Sequence, residues 1–183
     1  MSSLPTARPL DEPTPGDLEV VRAQLGRAPR GVVGIAARCV CGNPLVVATS
    51  PRLPDGSPFP TFYYLTHPAA TAAMSELEAT HVMAALQDEL HADEELQQAY
   101  TAAHRAYLAD RAAFGDDERI AGISAGGMPE RVKCLHALAG HALAAGPGVN
   151  PIGDRAIALS RFSREVCACE APGAARGGDE AEA

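Results

Sequence analysis

The chain has 183 residues, 46% hydrophobic and only 4% aromatic, a length that favours one sizeable core in a single domain over two. A formal net charge of -8, with a single lysine, Lys133, among 15 basic residues, repels nucleic acid and anionic membranes over most of the surface, so neither is an expected partner. Five cysteines, an odd number, argue for reduced thiols over a disulfide framework. The opening MSSLPTARPLDEPTPGD has no basic segment leading into an apolar stretch, and nowhere do about 18 apolar residues run together; the expected location is the cytoplasm.

Residues 1–16 are rich in Pro, Ser and Thr, and residues 163–183 end in APGAARGGDEAEA. Both are expected to be flexible tails around one globular domain, 17–162. Asp17 is expected to cap a short helix, LEVVRAQLG, that stops at Gly26. GVVGIAARC, LVVATS and TFYYLT read as three strands, separated by a turn at Asn43-Pro44 and a Pro-rich loop that turns at Asp55-Gly56.

From Pro68 onward the period becomes helical. Met74, Leu77, Val82, Leu86 and Leu90 form an apolar stripe with a slip near Thr80, so this is one helix or two short ones. Asp93 is expected to cap the next helix, which carries Leu96, Tyr100, Ala103, Tyr107 and Leu108 on one face as far as Gly115. Pro129 reads as the first residue of a helix that stops at Gly146-Pro147, and Asp154 as the cap of a last short one. These elements predict an α+β domain, a small antiparallel sheet of about three strands packed against three to four helices. The polar site is expected where strand ends meet the last long helix.

The words PRLPDGSPFPTFYYLTHP, SAGGMPERVKCLH and HALAAGPGVNPIGD, in that order, resemble a bacterial family of unknown function, DUF501, well represented in actinobacteria. The resemblance spans roughly residues 17 to 160 and implies no established activity. It implies that His67 stands where a cysteine is common, and that Cys41 is not a regular member of the pattern.

Cys39 and Cys41 form a C-x-C pair at a strand end, His67 ends the third strand, and Cys134 and His136 form C-x-H. Zinc takes four Cys or His ligands. Cys39, His67 and Cys134 with either His136 or Cys41 make a mixed thiolate and imidazole set for such an ion, structural if closed and hydrolytic if the fourth position holds water. On a regular helix residues two apart point about 200° from each other, so Cys134 and His136 share an ion only if the helix starts after Pro129 suggests. His141 lies too far along a helix from Cys134 to share it, and is placed as a supporting histidine behind the ligands.

Cys167-Ala-Cys169 offers a rival, a four-thiolate site closed by folding the C-terminal segment back on the sheet. A second class of answer is a small enzyme that uses Cys134 as nucleophile beside a histidine. With it goes a small-anion site at the 124–129 loop, made by Ser124, Gly126, Gly127, Arg131 and Lys133 at a helix start. The third is a metal-free interaction or regulatory protein with unidentified protein partners. Tyr100, His104 and Tyr107 read as core, the acidic run DELHADEE as a solvated face, and Asp55 as a turn former.

Overall fold

The computed structural model describes residues 9–115 and 117–169. Its elements in chain order are α1 (Pro15–Leu25), β1 (Val32–Arg38), β2 (Pro44–Thr49), β3 (Tyr63–Leu65), α2 (Pro68–Glu78), α3 (Val82–Ala92), α4 (Glu94–Ala112), a 3-10 turn (Glu118–Ile120), α5 (Leu135–Ala145) and α6 (Pro151–Leu159). The expected α+β class holds, with three antiparallel strands in the order β1-β2-β3.

β2 is central, and every one of its six residues is buried; its unbroken apolar run suits a strand covered on both faces. The cross-strand row Ile35, Val47 and Tyr64 faces α1, where Val21 and Leu25 pack against it. Ala37, Val46 and Leu65 belong to the main core on the other face. Helices therefore cover both faces of the sheet.

That main core is built around α5. LHALAGHALAA carries no charged carboxylate or lysine, and eight of its eleven residues are buried, as expected of a helix that is apolar nearly all round. Glycines let its neighbours approach. A Cβ on Gly140 would lie 3.3 Å from the Tyr63 carbonyl oxygen of β3, and one on Gly153 of α6 would lie 2.2 Å from the Leu138 carbonyl oxygen.

Several boundaries differ from expectation. α1 is capped by Thr14, with Asp17 at the third helical position returning a bond to the Thr14 amide; Pro15 takes the first position, where its missing N–H costs nothing. Asp11 pairs with Ile35 by two backbone bonds, so part of the expected N-terminal tail belongs to the sheet. The stripe after Pro68 is two helices, broken where the Thr80 hydroxyl bonds the Leu77 carbonyl. α6 is capped by Asn150, whose side chain accepts from the Gly153 N–H, while Asp154 accepts from Gly148. Asp93 caps α4 as expected.

The largest correction is α5, which begins at Leu135 and not at Pro129. Gly126 and Gly127 sit at φ 69° and 95°, turning the chain. A single turn follows, in which the Arg131 N–H donates to the Gly127 carbonyl, but no helix continues from it because other elements hold the chain: Gln87 of α3 accepts from the Val132 N–H, and the Tyr100 hydroxyl of α4 donates to the Arg131 carbonyl.

Candidate metal centres

Cys39 follows the last residue of β1, and Cys41 sits in the tight turn to β2. The turn closes when Cys39 donates to Asn43 O at 2.9 Å and Gly42 donates to Cys39 O at 2.8 Å. Gly42 holds φ 91°, a conformation in which a Cβ would strain the backbone. The backbone N–H of Asn43 points at the Cys41 sulfur and is the main reason its thiol is drawn down to about 7.

Cys167 and Cys169 come to the same place from the other end of the chain. After α6, Phe162 is buried in the main core, and its ring lies 5.8 Å from that of His67. The next residues bring Cys169 Sγ to 3.4 Å from Cys41 Sγ of the β1–β2 turn. The four sulfurs of Cys39, Cys41, Cys167 and Cys169 all lie within 4.8 Å of one another. For zinc with sulfur at ~2.3 Å, the edge of a tetrahedron is about 3.8 Å, so the quartet is near the size the ion needs. Burial, with Cys41 alongside, pushes the Cys169 thiol up to about 12; four thiolates this close repel one another unless a cation sits between them.

His67, the expected third ligand, stands next to the quartet and outside it. Its ring is fully buried, with Nε2 3.1 Å from Cys169 Sγ, placed for an N–H to support a thiolate. Nδ1 has no partner among the described residues, and burial holds the ring's pKa below its ordinary value.

Cys134 and His136 fall into a different cluster. Cys134 is the N-cap of α5 in extended conformation, so the 200° objection does not apply, and the two side chains meet with Glu78 from the end of α2, donor atoms within 4.8 Å of one another. Glu78 Oε1 accepts from the Leu135 N–H at 2.6 Å and lies 3.1 Å from His136 Nδ1. His136 is lifted to about 9, first by its bond with Cys134 and then by Glu78. The set expected as one site is thus divided between two clusters.

His141 is in neither. It is fully buried, accepts at Nδ1 from the Asn150 amide and stacks on Tyr63. In the expected anion loop, Ser124 is buried, its hydroxyl 2.9 Å from His104 Nδ1. The amides of Arg131 and Lys133 donate to the carbonyls of Gly127 and Gly126, and with α5 starting at Leu135 no helix N-terminus opens at Pro129 to offer free amides there. Arg52 donates to Asp117 at 3.1 Å, and Asp55 accepts from the Ser57 N–H as a turn former and pairs with Arg30.

Cys167 and Cys169 did have a signal in the sequence, a C-x-C spacing that repeats Cys39-x-Cys41. Glu78 had none, since only the packing of α2 on α5 brings it to Cys134. Comparison with known proteins fits both the quoted words and the fold: the family described as Protein of unknown function (DUF501) matches residues 35–158. The chain belongs to DUF501. Within the DUF501 segment lie Cys39, Cys41 and the whole Glu78–Cys134–His136 cluster, whereas Cys167 and Cys169 lie beyond its end. No curated protein and no solved structure matches the chain. Among the described residues, no helix is long and apolar enough to cross a membrane.

Proposed function

We propose that this DUF501 protein binds zinc through Cys39, Cys41, Cys167 and Cys169, and that the ion is structural. The observation that carries the reading is the approach of four sulfurs from the two ends of the chain to within 4.8 Å of one another. Thiolates select soft or borderline ions, and four of them leave no position for water or substrate, the pattern of a structural site. The ion clips the segment after α6 onto the β1–β2 turn, and the His67 N–H supports the Cys169 sulfur beside it. Five free cysteines suit a reducing compartment, so the cytoplasm is part of the same proposal.

Melting of protein prepared without an affinity tag, with and without a strong chelator, tests this. An ion present at a thousandfold over its Kd adds about 4 kcal/mol, on the order of 10 °C in a chain of this size. The reading predicts a fall of that order, a new protease cut within 163–169, and intense thiolate-to-metal absorption when cobalt replaces zinc. A melting curve indifferent to chelator, with no thiolate band from cobalt, refutes it.

A further inference from the structure

We infer that Glu78, Cys134 and His136 form a second metal site, open at one coordination position, for a divalent ion of the zinc class. It stands on residues separate from the thiolate quartet. A sulfur, an imidazole nitrogen and a carboxylate oxygen gather within 4.8 Å of one another, and the 3.1 Å between Glu78 Oε1 and His136 Nδ1 is near the ~3.3 Å edge of a tetrahedron with bonds of ~2.0 Å.

The hydrogen bonds around the cluster orient it for an ion. His136 Nε2 lies 3.1 Å from the Thr71 carbonyl oxygen and 3.1 Å from Ser75 Oγ. A carbonyl can only accept, so Nε2 keeps its proton, and Nδ1, which faces Glu78, is the nitrogen that binds, the ion taking the place of the proton shared with that carboxylate; metal-ligating histidines are fixed in this way. The Leu135 N–H holds the Glu78 carboxylate at 2.6 Å. Cys134 is fixed as well, because Gln87 and Tyr100 pin the backbone of residues 131 and 132 just ahead of it.

The site differs from the quartet in what it leaves over. Three mixed protein ligands are the pattern of ions that keep an exchangeable fourth position, and the side chains of Glu78 and His136 are 25% and 26% exposed, so solvent reaches them. The fourth ligand is water or a small anion. An ion there draws the pKa of its water toward neutrality, which makes hydrolysis of a small ester, amide or phosphate the reaction class the site can support.

Zinc counting on the full-length, untagged protein tests the inference. Samples equilibrated in buffers of graded free zinc are passed through gel filtration, and zinc per chain is measured by elemental analysis. Wild type should reach two equivalents and Cys167→Ser/Cys169→Ser one. Glu78→Gln keeps an oxygen for the Leu135 N–H, so the helix stays capped, yet it should lose the second equivalent or bind it at least tenfold more weakly; Cys134→Ala should do the same. If wild type, Glu78→Gln and Cys134→Ala all bind alike, the second site is refuted, and Glu78 and His136 are an ion pair that caps α5. Loss of a single wild-type equivalent in the Cys167/Cys169 variant alone also refutes it while sparing the quartet; loss in Glu78→Gln alone upholds it and refutes the quartet.

Discussion

His141 sits between the rings of Tyr63 and Tyr107 with centroids at 5.6 and 5.2 Å, and its Nε2 has no partner among the described residues. Burial draws its pKa from 6.5 down to about 4. Between those values the unfolded chain binds a proton that the folded one refuses, so stability is complete above about pH 6.5 and is lost as pH falls toward 4, by roughly 3 kcal/mol in all. His141→Phe keeps a ring of similar shape and removes the proton. Denaturant melts from pH 4 to 7 should show a shallower pH slope for the variant than for wild type; parallel curves would mean that the imidazole titrates normally. Loss of metal in acid affects both proteins, so the difference between them isolates the histidine.

Residue types were a fair guide to which side chains matter and a poor guide to which ones meet. Cys39 and Cys41 were legible because both stand in one turn, two residues apart. Their partnership with Cys169 depends on Phe162 anchoring the chain far from them in sequence, and no local pattern records that. Cys134 and His136 were legible as a pair, but their third partner, Glu78, looks in sequence like any acidic residue at a helix end.

At the scale of elements, the strands and the long helices could be read because a buried face imposes its period on the residues: the stripes of α2 to α4 and the apolar run of β2 survive intact in the fold. The start of α5 could not. Pro129 is well suited to a first helical turn, but side chains of α3 and α4 bond the backbone of residues 131 and 132, and tertiary bonds override the local preference. The contact of α6 with α5 carries its own prediction. Alanine normally favours a helix over glycine by about 1 kcal/mol, yet Gly153→Ala would place a Cβ 2.2 Å from the Leu138 carbonyl oxygen and 2.8 Å from Ala142 Cβ. The variant should therefore be less stable than wild type, by about 1–3 kcal/mol from overpacking, in urea melts. A gain in stability would show that α6 does not seat this closely.

At the scale of the whole molecule, a DUF501 core folds around α5, and the proposed ion would fasten the segment after α6 to it. The core contains the second cluster and half of the quartet; the other half arrives from outside the matched region. Removing the ion should therefore loosen the β1–β2 turn and the 163–169 segment more than the helices around α5. The direct measurement is zinc per chain by elemental analysis of wild type and Cys167→Ser/Cys169→Ser, both expressed without an affinity tag and purified without added metal. The account predicts zinc in the wild type and one equivalent fewer in the variant. A folded wild type without metal, or a variant that retains all of it, would contradict the claim that these four cysteines hold an ion.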